Sequence, residues 1–160
     1  MSAASAFACR RCGQCCRGEG GIVADERDQQ RLCAYLGAAR ETFLAAYTVE
    51  RSGKVFLTVG ADGNCVFFEA GCGVHPARPD ICRAWPFFRG NLIDAVSFAL
   101  SKDSCPGIEQ GASHAAFARQ GAAYLQARGL VKSSQAGAAE ALKLSPAMLA
   151  AMLKADPDDA

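Results

Sequence analysis

Four of the cysteines lie close together near the start of the chain, at a spacing that suits metal ligation. Cys9, Cys12, Cys15 and Cys16 occur in the run Cys-Arg-Arg-Cys-Gly-Gln-Cys-Cys. Two-residue gaps let successive thiolates turn back toward one ion or cluster, and Gly13 relaxes the backbone between them. Because the side chains of adjacent residues diverge, Cys15 and Cys16 predict either a second site or a second role for one of the pair.

A second group of cysteines is spread more widely along the chain. It consists of Cys65, Cys72, Cys82 and Cys105. Eight thiols could fill two four-thiolate sites, but the wide gaps require tertiary folding to assemble each of them. The predicted metal ligands are therefore Cys9, Cys12, Cys15, Cys16, Cys65, Cys72, Cys82 and Cys105. No catalytic residue is predicted.

A disulfide framework is the alternative interpretation of so many cysteines. It requires an oxidising compartment, and the first residues lack the basic and apolar regions of an export signal. The total of nine cysteines would also leave one thiol unpaired. We therefore predict a cytoplasmic metal-binding protein. The ninth cysteine, Cys33, lies in a predicted helix outside both groups, and we assign it to packing.

The net charge and the lengths of the apolar runs argue against two classes of partner, nucleic acid and membrane. The formal net charge is only +1, without the excess of Lys and Arg that a phosphate-binding surface needs, so nucleic acid is not a predicted partner. No apolar run reaches the roughly 18 residues that a membrane-spanning helix requires, so no membrane is predicted either.

The predicted fold class is α+β. Helices are expected over residues 25–36, with Gly37 as a C-terminal cap, and over residues 40–48. The β-branched run from Lys54 to Val59, a turn at residues 62–64 and a second run from Cys65 predict a short β-hairpin. Residues 70–90 contain so many Gly and Pro residues that an irregular loop is expected there. The helices should surround a small, loop-rich metal-binding core.

The cysteine-free end of the chain predicts an Ala-rich helical tail. Phe117, Tyr124 and Leu125 fall on one helical stripe, and Ser145 with Pro146 is typical of the start of a short final helix. We therefore predict a metal-binding domain over residues 1–107 and a helical C-terminal extension over residues 108–160 that packs on it.

Both cysteine groups resemble a known family. The run from Phe7 to Cys16 and the segment that contains Cys65, Cys72, His75, Cys82 and Trp85 resemble the CxxCxxCC proteins, also called the YkgJ-type cysteine-cluster family. Members are described as zinc- or iron-chelating domains or as iron–sulfur proteins. The resemblance covers about the first two-thirds of the chain and implies an iron–sulfur cluster or zinc as the cofactor. His75 is the remaining ligand candidate, and it is expected to order its loop or to hydrogen-bond to a ligand sulfur.

Two functions remain open from the sequence. The favoured one is a metal-binding protein whose iron–sulfur cluster or zinc has a structural or electron-transfer role, with a redox or protein partner. The alternative is an enzyme that uses the centre in catalysis or protein modification, since a related cysteine motif occurs in the larger flagellin lysine methylase. The sequence contains no phosphate-binding loop, nucleophile elbow or HExxH helix, which favours the first function.

Overall fold

The computed structural model describes residues 5–17, 21–132 and 137–158. These residues form helices and a small antiparallel sheet, which confirms the predicted α+β class. The chain divides into two compact units. The helical unit comprises Met1–Cys12, Ala84–Ser133 and Glu140–Ala160, and the sheet unit comprises Gly13–Arg83 and Ser134–Ala139. The predicted functional division after residue 107 stays a prediction.

The sheet unit contains three short strands and two amphipathic helices. Its elements are β1 (Ile22–Val23), α1 (Glu26–Leu36), α2 (Arg40–Tyr47), β2 (Thr48–Arg51) and β3 (Lys54–Leu57), with 3-10 turns at Gln14–Cys16 and His75–Ala77 and the start of α3 (Asp80–Ala84). The strands are antiparallel in the order β1-β3-β2. The segment 70–90 forms no long element, as expected, although its prolines allow short helical turns.

The predicted partner of β3 was wrong. β3 pairs along its length with the preceding strand β2. The residues after the 62–64 turn meet the predicted run only beyond the end of β3, through the bridge between Val59 and Cys65 and the hydrogen bond from the Val66 N–H to the Thr58 carbonyl. Ser52 and Gly53 explain the difference, because both have positive φ (51° and 73°) and so form the tight two-residue turn that twisted antiparallel strands favour.

Local signals fix the ends of α1. Asp25 and Asp28 accept hydrogen bonds from each other's backbone N–H, forming a capping box, and Gly37 ends the helix with φ of 64°. The inner face of α1 buries Leu32 completely against Phe43 of α2 and Leu57 of β3. This apolar core supports the cysteines of the sheet unit.

The helical unit contains α4 (Arg89–Ile93), α5 (Ala95–Ser104), α6 (His114–Ala127) and α7 (Pro146–Lys154). The serine hydroxyls of Ser113 and Ser145 cap α6 and α7, which confirms both tail helices. Phe117 of α6 is fully buried between the rings of Phe87 and Phe98. None of the helices formed by the described residues is both long and apolar enough to cross a lipid bilayer.

Candidate metal centre

Five cysteines of the sheet unit lie close enough to influence one another electrostatically. This five-thiol group consists of Cys15, Cys16, Cys65, Cys72 and Cys82. Burial raises the pKa of Cys82 well above its usual range, and the negative charges that the other four thiols can carry raise it further. The two sequence motifs therefore meet at one place within this unit.

A backbone hydrogen bond joins the first motif to the second. The N–H of Cys65 donates to the carbonyl oxygen of Cys16 over 2.8 Å. Gly13 makes this approach possible: its φ is 76°, and a Cβ at this position would lie 2.9 Å from the ring of Phe68. The 3-10 turn that follows, Gln14–Cys16, carries two cysteines of the group.

Cys65 and Cys72 are held by a compact loop. The N–H of Phe68 donates to the carbonyl of Cys65, and Phe68 forms an isolated bridge with Cys72. Cys65 is buried in the core of the sheet unit, and Cys72 packs against that core. Burial raises the pKa of Cys65, a hydrogen bond from the Phe67 backbone opposes this rise, and Cys72 and Cys15 add to it. The Cys65 thiol therefore faces surroundings that disfavour an uncompensated negative charge.

The start of α3 positions Cys82. Its N–H donates to the carbonyl oxygen of Pro79 over 2.9 Å, and Pro79 is itself fully buried. Cys82 as a whole residue is only partly buried, and Cys15 is exposed, whereas Cys65 is inside the core. The five-thiol group thus extends from the apolar core to the protein surface.

The other three predicted ligands belong to the helical unit. The segment around Phe7 pairs with the segment around Ile108, and the N–H of Ala8 donates to the carbonyl of Gly107 over 3.0 Å. This pairing places Cys9 beside the turn that begins at Cys105. Cys105 is buried, whereas Cys9 and Cys12 are exposed.

In the part of the chain that the structure describes, neither unit contains a fully formed coordination shell. Among residues 5–17, 21–132 and 137–158, no group of three or more His, Cys, Asp or Glu side chains is arranged to hold a metal ion. Electrostatic interactions between thiols act over longer distances than the zinc–sulfur bond of about 2.3 Å. The five thiols are therefore neighbours that would have to come closer together to ligate one metal ion.

His75 and Cys33 have the surroundings expected from the sequence. The Nε2 atom of His75 lies 2.7 Å from Nη1 of Arg78, so the imidazole orders the loop before α3. Cys33 on α1 packs against the apolar core of the sheet unit.

Sequence analysis missed a buried group of charges next to the five-thiol group. Asp28, on the face of α1 that looks polar in the sequence, is only 2% exposed and accepts a hydrogen bond from the N–H of Asp80 over 3.0 Å. Arg31 contacts both carboxylates. The three-residue spacing of Asp28 and Arg31 was the available signal, but the same spacing is common on exposed helices.

The order and spacing of these cysteines match a known family over most of the chain. Residues 8–106 match the model of the CxxCxxCC family, which is described as "Putative zinc- or iron-chelating domain". The chain belongs to the CxxCxxCC family. Comparisons with curated proteins and with solved structures found no match.

The donor set of this CxxCxxCC protein fits zinc or iron. Structural zinc sites and iron–sulfur clusters are commonly held by four cysteine thiolates, and the five-thiol group exceeds that number. A bound cation or cluster would also stabilise the thiolates of Cys65 and Cys82, which burial alone disfavours. The chemistry of the site therefore agrees with the family description.

Proposed function

We propose that this protein binds an iron–sulfur cluster or zinc through clustered cysteine thiolates, and that the centre has a structural or electron-transfer role. The proposed ligands are Cys9, Cys12, Cys15, Cys16, Cys65, Cys72, Cys82 and Cys105. The observation that carries the proposal is the 2.8 Å hydrogen bond from the Cys65 N–H to the Cys16 carbonyl, which joins the two motifs beside the five-thiol group.

The five-thiol group provides the principal site of the proposal. Its members come from three separate segments, a 3-10 turn, the loop after β3 and the start of α3, so one bound centre would tie these segments together. Cys9, Cys12 and Cys105 of the helical unit supply the remaining thiolates. The sequence division of eight thiols into two four-thiolate sites is one arrangement that the ligand count allows.

The surroundings of the five-thiol group favour a permanent centre over a rapidly exchanging one. Cys65 is inside the apolar core, and Cys16 and Cys72 pack against it. A cluster held partly inside an apolar core is shielded from solvent, and shielding is one of the factors that set its reduction potential. This location supports a structural or electron-transfer role more than metal delivery.

A cytoplasmic location completes the proposal, because thiols remain reduced there and available to a metal. An electron-transfer role would further require a redox or protein partner. The metal-binding domain over residues 1–107 and the extension over residues 108–160 are the corresponding functional parts of the chain.

One preparation tests the proposal. The protein is purified without oxygen, its absorption spectrum is recorded, and its zinc, iron and sulfide are quantified. We expect either visible thiolate-to-iron absorption with matching iron and sulfide, or a colourless protein that contains stoichiometric zinc. A folded protein that contains neither metal would overturn the proposal.

Three serine variants test the ligands. Cys12→Ser and Cys82→Ser should lower metal content and soluble yield together, whereas Cys33→Ser should change neither by much. Serine preserves the size of cysteine while removing the thiolate, and Cys33 is the matched control because it packs against the same core. The ligand assignment is wrong if Cys33→Ser alone loses metal.

A further inference from the structure

Three charged side chains of the sheet unit surround the segment that leads into Cys82. Asp28 and Asp80 are 2% and 6% exposed, respectively, and Arg31 lies between their carboxylates. Charged groups are rarely buried to this extent unless they are paired. We call Asp28, Arg31 and Asp80 the charged cluster.

The charged cluster attaches the backbone on both sides of Pro79 to α1. Before the proline, Nη2 of Arg31 donates to the carbonyl oxygen of Arg78 over 3.1 Å. After the proline, the N–H of Asp80 donates to Oδ1 of Asp28 over 3.0 Å. Nη2 of Arg31 also donates to Oδ1 of Asp28 over 2.6 Å, so the two attachments are joined. The segment therefore has little freedom to shift relative to α1.

The attached segment determines the position of the Cys82 backbone. The carbonyl oxygen of Pro79 accepts the N–H groups of Cys82 and Arg83, at 2.9 Å and 3.1 Å. Arg83 turns back so that its Nη1 donates to Oδ1 of Asp80 over 3.2 Å. A displacement of the Arg78–Asp80 backbone would thus move the Cα of Cys82 and its thiol with it.

The charged cluster contributes orientation more than stability. Burial raises the pKa of Asp28 to about 6, and the nearby carboxylates of Asp80 and Asp25 raise it as well, against the opposing effects of the Asp80 N–H and Arg31. The ionised form is therefore disfavoured in the folded protein, as is common for buried ion pairs. Three hydrogen bonds of the cluster nevertheless reach the short segment from Arg78 to Asp80.

We propose that Asp28 and Arg31 are positioning residues for the metal ligand Cys82. By binding the Arg78–Asp80 backbone from both sides, they hold the start of α3 so that the Cys82 thiol stays within the five-thiol group. The inference deepens the proposed function and rests on it, because it takes Cys82 as a ligand.

Asp28→Asn tests the inference with little change in side-chain volume. The amide either presents its oxygen at the Oδ1 position, without the negative charge that strengthens the bonds from the Asp80 N–H and Arg31, or places its NH₂ group there and loses both bonds, so the attachment is weakened in either orientation. Metal-depleted, reduced protein is titrated with Co²⁺ under argon, with a competing chelator. We expect about 10- to 100-fold weaker Co²⁺ binding, the range typical when residues that orient ligands are changed.

Asp25→Asn is the matched control. Asp25 caps the same helix and contacts Asp28, but it is not bonded to the Arg78–Asp80 backbone. Because Asn caps helices about as well as Asp, this variant should bind Co²⁺ within about threefold of the parent. Equal losses in Asp25→Asn and Asp28→Asn would assign the effect to α1 in general and overturn the inference.

The spectrum of bound Co²⁺ separates positioning from stability. In Asp28→Asn, the thiolate-to-cobalt absorption per bound ion should fall to that of Cys82→Ser, because both changes withdraw the same thiolate. An unchanged spectrum and affinity in Asp28→Asn would overturn the inference. If Asp28→Asn does not fold, Arg31→Met replaces it, because this change removes the contact to the Arg78 carbonyl. Its Co²⁺ affinity and its absorption per bound ion then test the inference in the same way.

Cys82→Ser separates a test of the proposed ligand set from a test of the positioning role. If it binds Co²⁺ like the parent, Cys82 is not a ligand and the proposed ligand set fails. If Cys82→Ser is impaired while Asp28→Asn and Arg31→Met match the parent, the proposed function stands and only the positioning role is rejected.

Discussion

The backbone N–H of Cys65 lies 2.8 Å from the carbonyl oxygen of Cys16, to which it donates a hydrogen bond. This bond joins the compact cysteine run near the start of the chain to the cysteines of the long central segment. It forms next to Gly13, whose backbone has a φ of 76° and whose hydrogen faces the ring of Phe68. The first motif can therefore turn into the core only because residue 13 has no side chain.

Gly13→Ala should consequently disturb the five-thiol group. The positive φ alone costs roughly 1–2 kcal/mol for a residue with a Cβ, and the new methyl carbon would lie 2.9 Å from Cε2 of Phe68. We expect a lower free energy of unfolding together with a lower metal content, measured by chemical denaturation and metal analysis.

Gly53→Ala is the control for that prediction. Gly53 has a similar φ of 73° in the turn between β2 and β3, but a Cβ there would meet no atom within 4 Å. It should lower stability while leaving metal content unchanged. If both variants retain full metal content, close packing at Gly13 is not needed for ligation.

Metal removal should unfold much of residues 7–107. This region is rich in loops and short elements, and structural zinc can contribute roughly 10 kcal/mol or more, as much as the whole stability of a small domain. After chelation, hydrogen exchange measured by mass spectrometry should show lost protection across the segment 65–83. Unchanged protection there would mean that the apolar core alone is sufficient for folding.

Metal binding should release protons. Burial raises the pKa of both Cys65 and Cys82, so these thiols are protonated near neutral pH and must lose their protons on ligation. These two protons alone should lower the apparent affinity about 100-fold for each unit by which the pH is lowered, and each further protonated ligand thiol should add about tenfold. Calorimetry in buffers of different ionisation enthalpy counts the protons. Cys33→Ser should release the same number as the parent, and release of none would contradict the raised pKa values.

Asp28 should make the parent protein less stable as the pH rises through about 6. Its pKa is raised from 3.8 to about 6 in the folded state, so the folded state binds more protons than the unfolded state between these values. Stability due to the protonated carboxyl is therefore present at low pH and is lost on the way to neutral pH.

The stability difference between the parent and Asp28→Asn reports this effect, measured with metal in excess so that both proteins stay loaded. From pH 5 to pH 7.5 the parent should lose about 1 kcal/mol relative to the variant, measured by chemical denaturation at each pH. A constant difference over this range would show that Asp28 titrates normally.

The sequence by itself determined the features that depend on near neighbours in the chain. Asp25, Asp28 and Gly37 delimit α1, and Ser145 with Pro146 starts α7, because a helix end needs partners only three or four residues away. The cysteine runs likewise identify the family, since thiolate spacing is a property of the sequence itself.

Only the tertiary structure decided the features that depend on distant segments. β3 pairs with β2 because the two-residue turn at Ser52 and Gly53 sets their antiparallel register. In the sequence the Asp28 carboxylate belongs to a polar helix face, but in the fold α3 covers it and supplies the Asp80 N–H. The energies of strand pairing and of charge burial depend on contacts between residues that are far apart in the sequence. Local patterns do not specify which distant residue makes the contact.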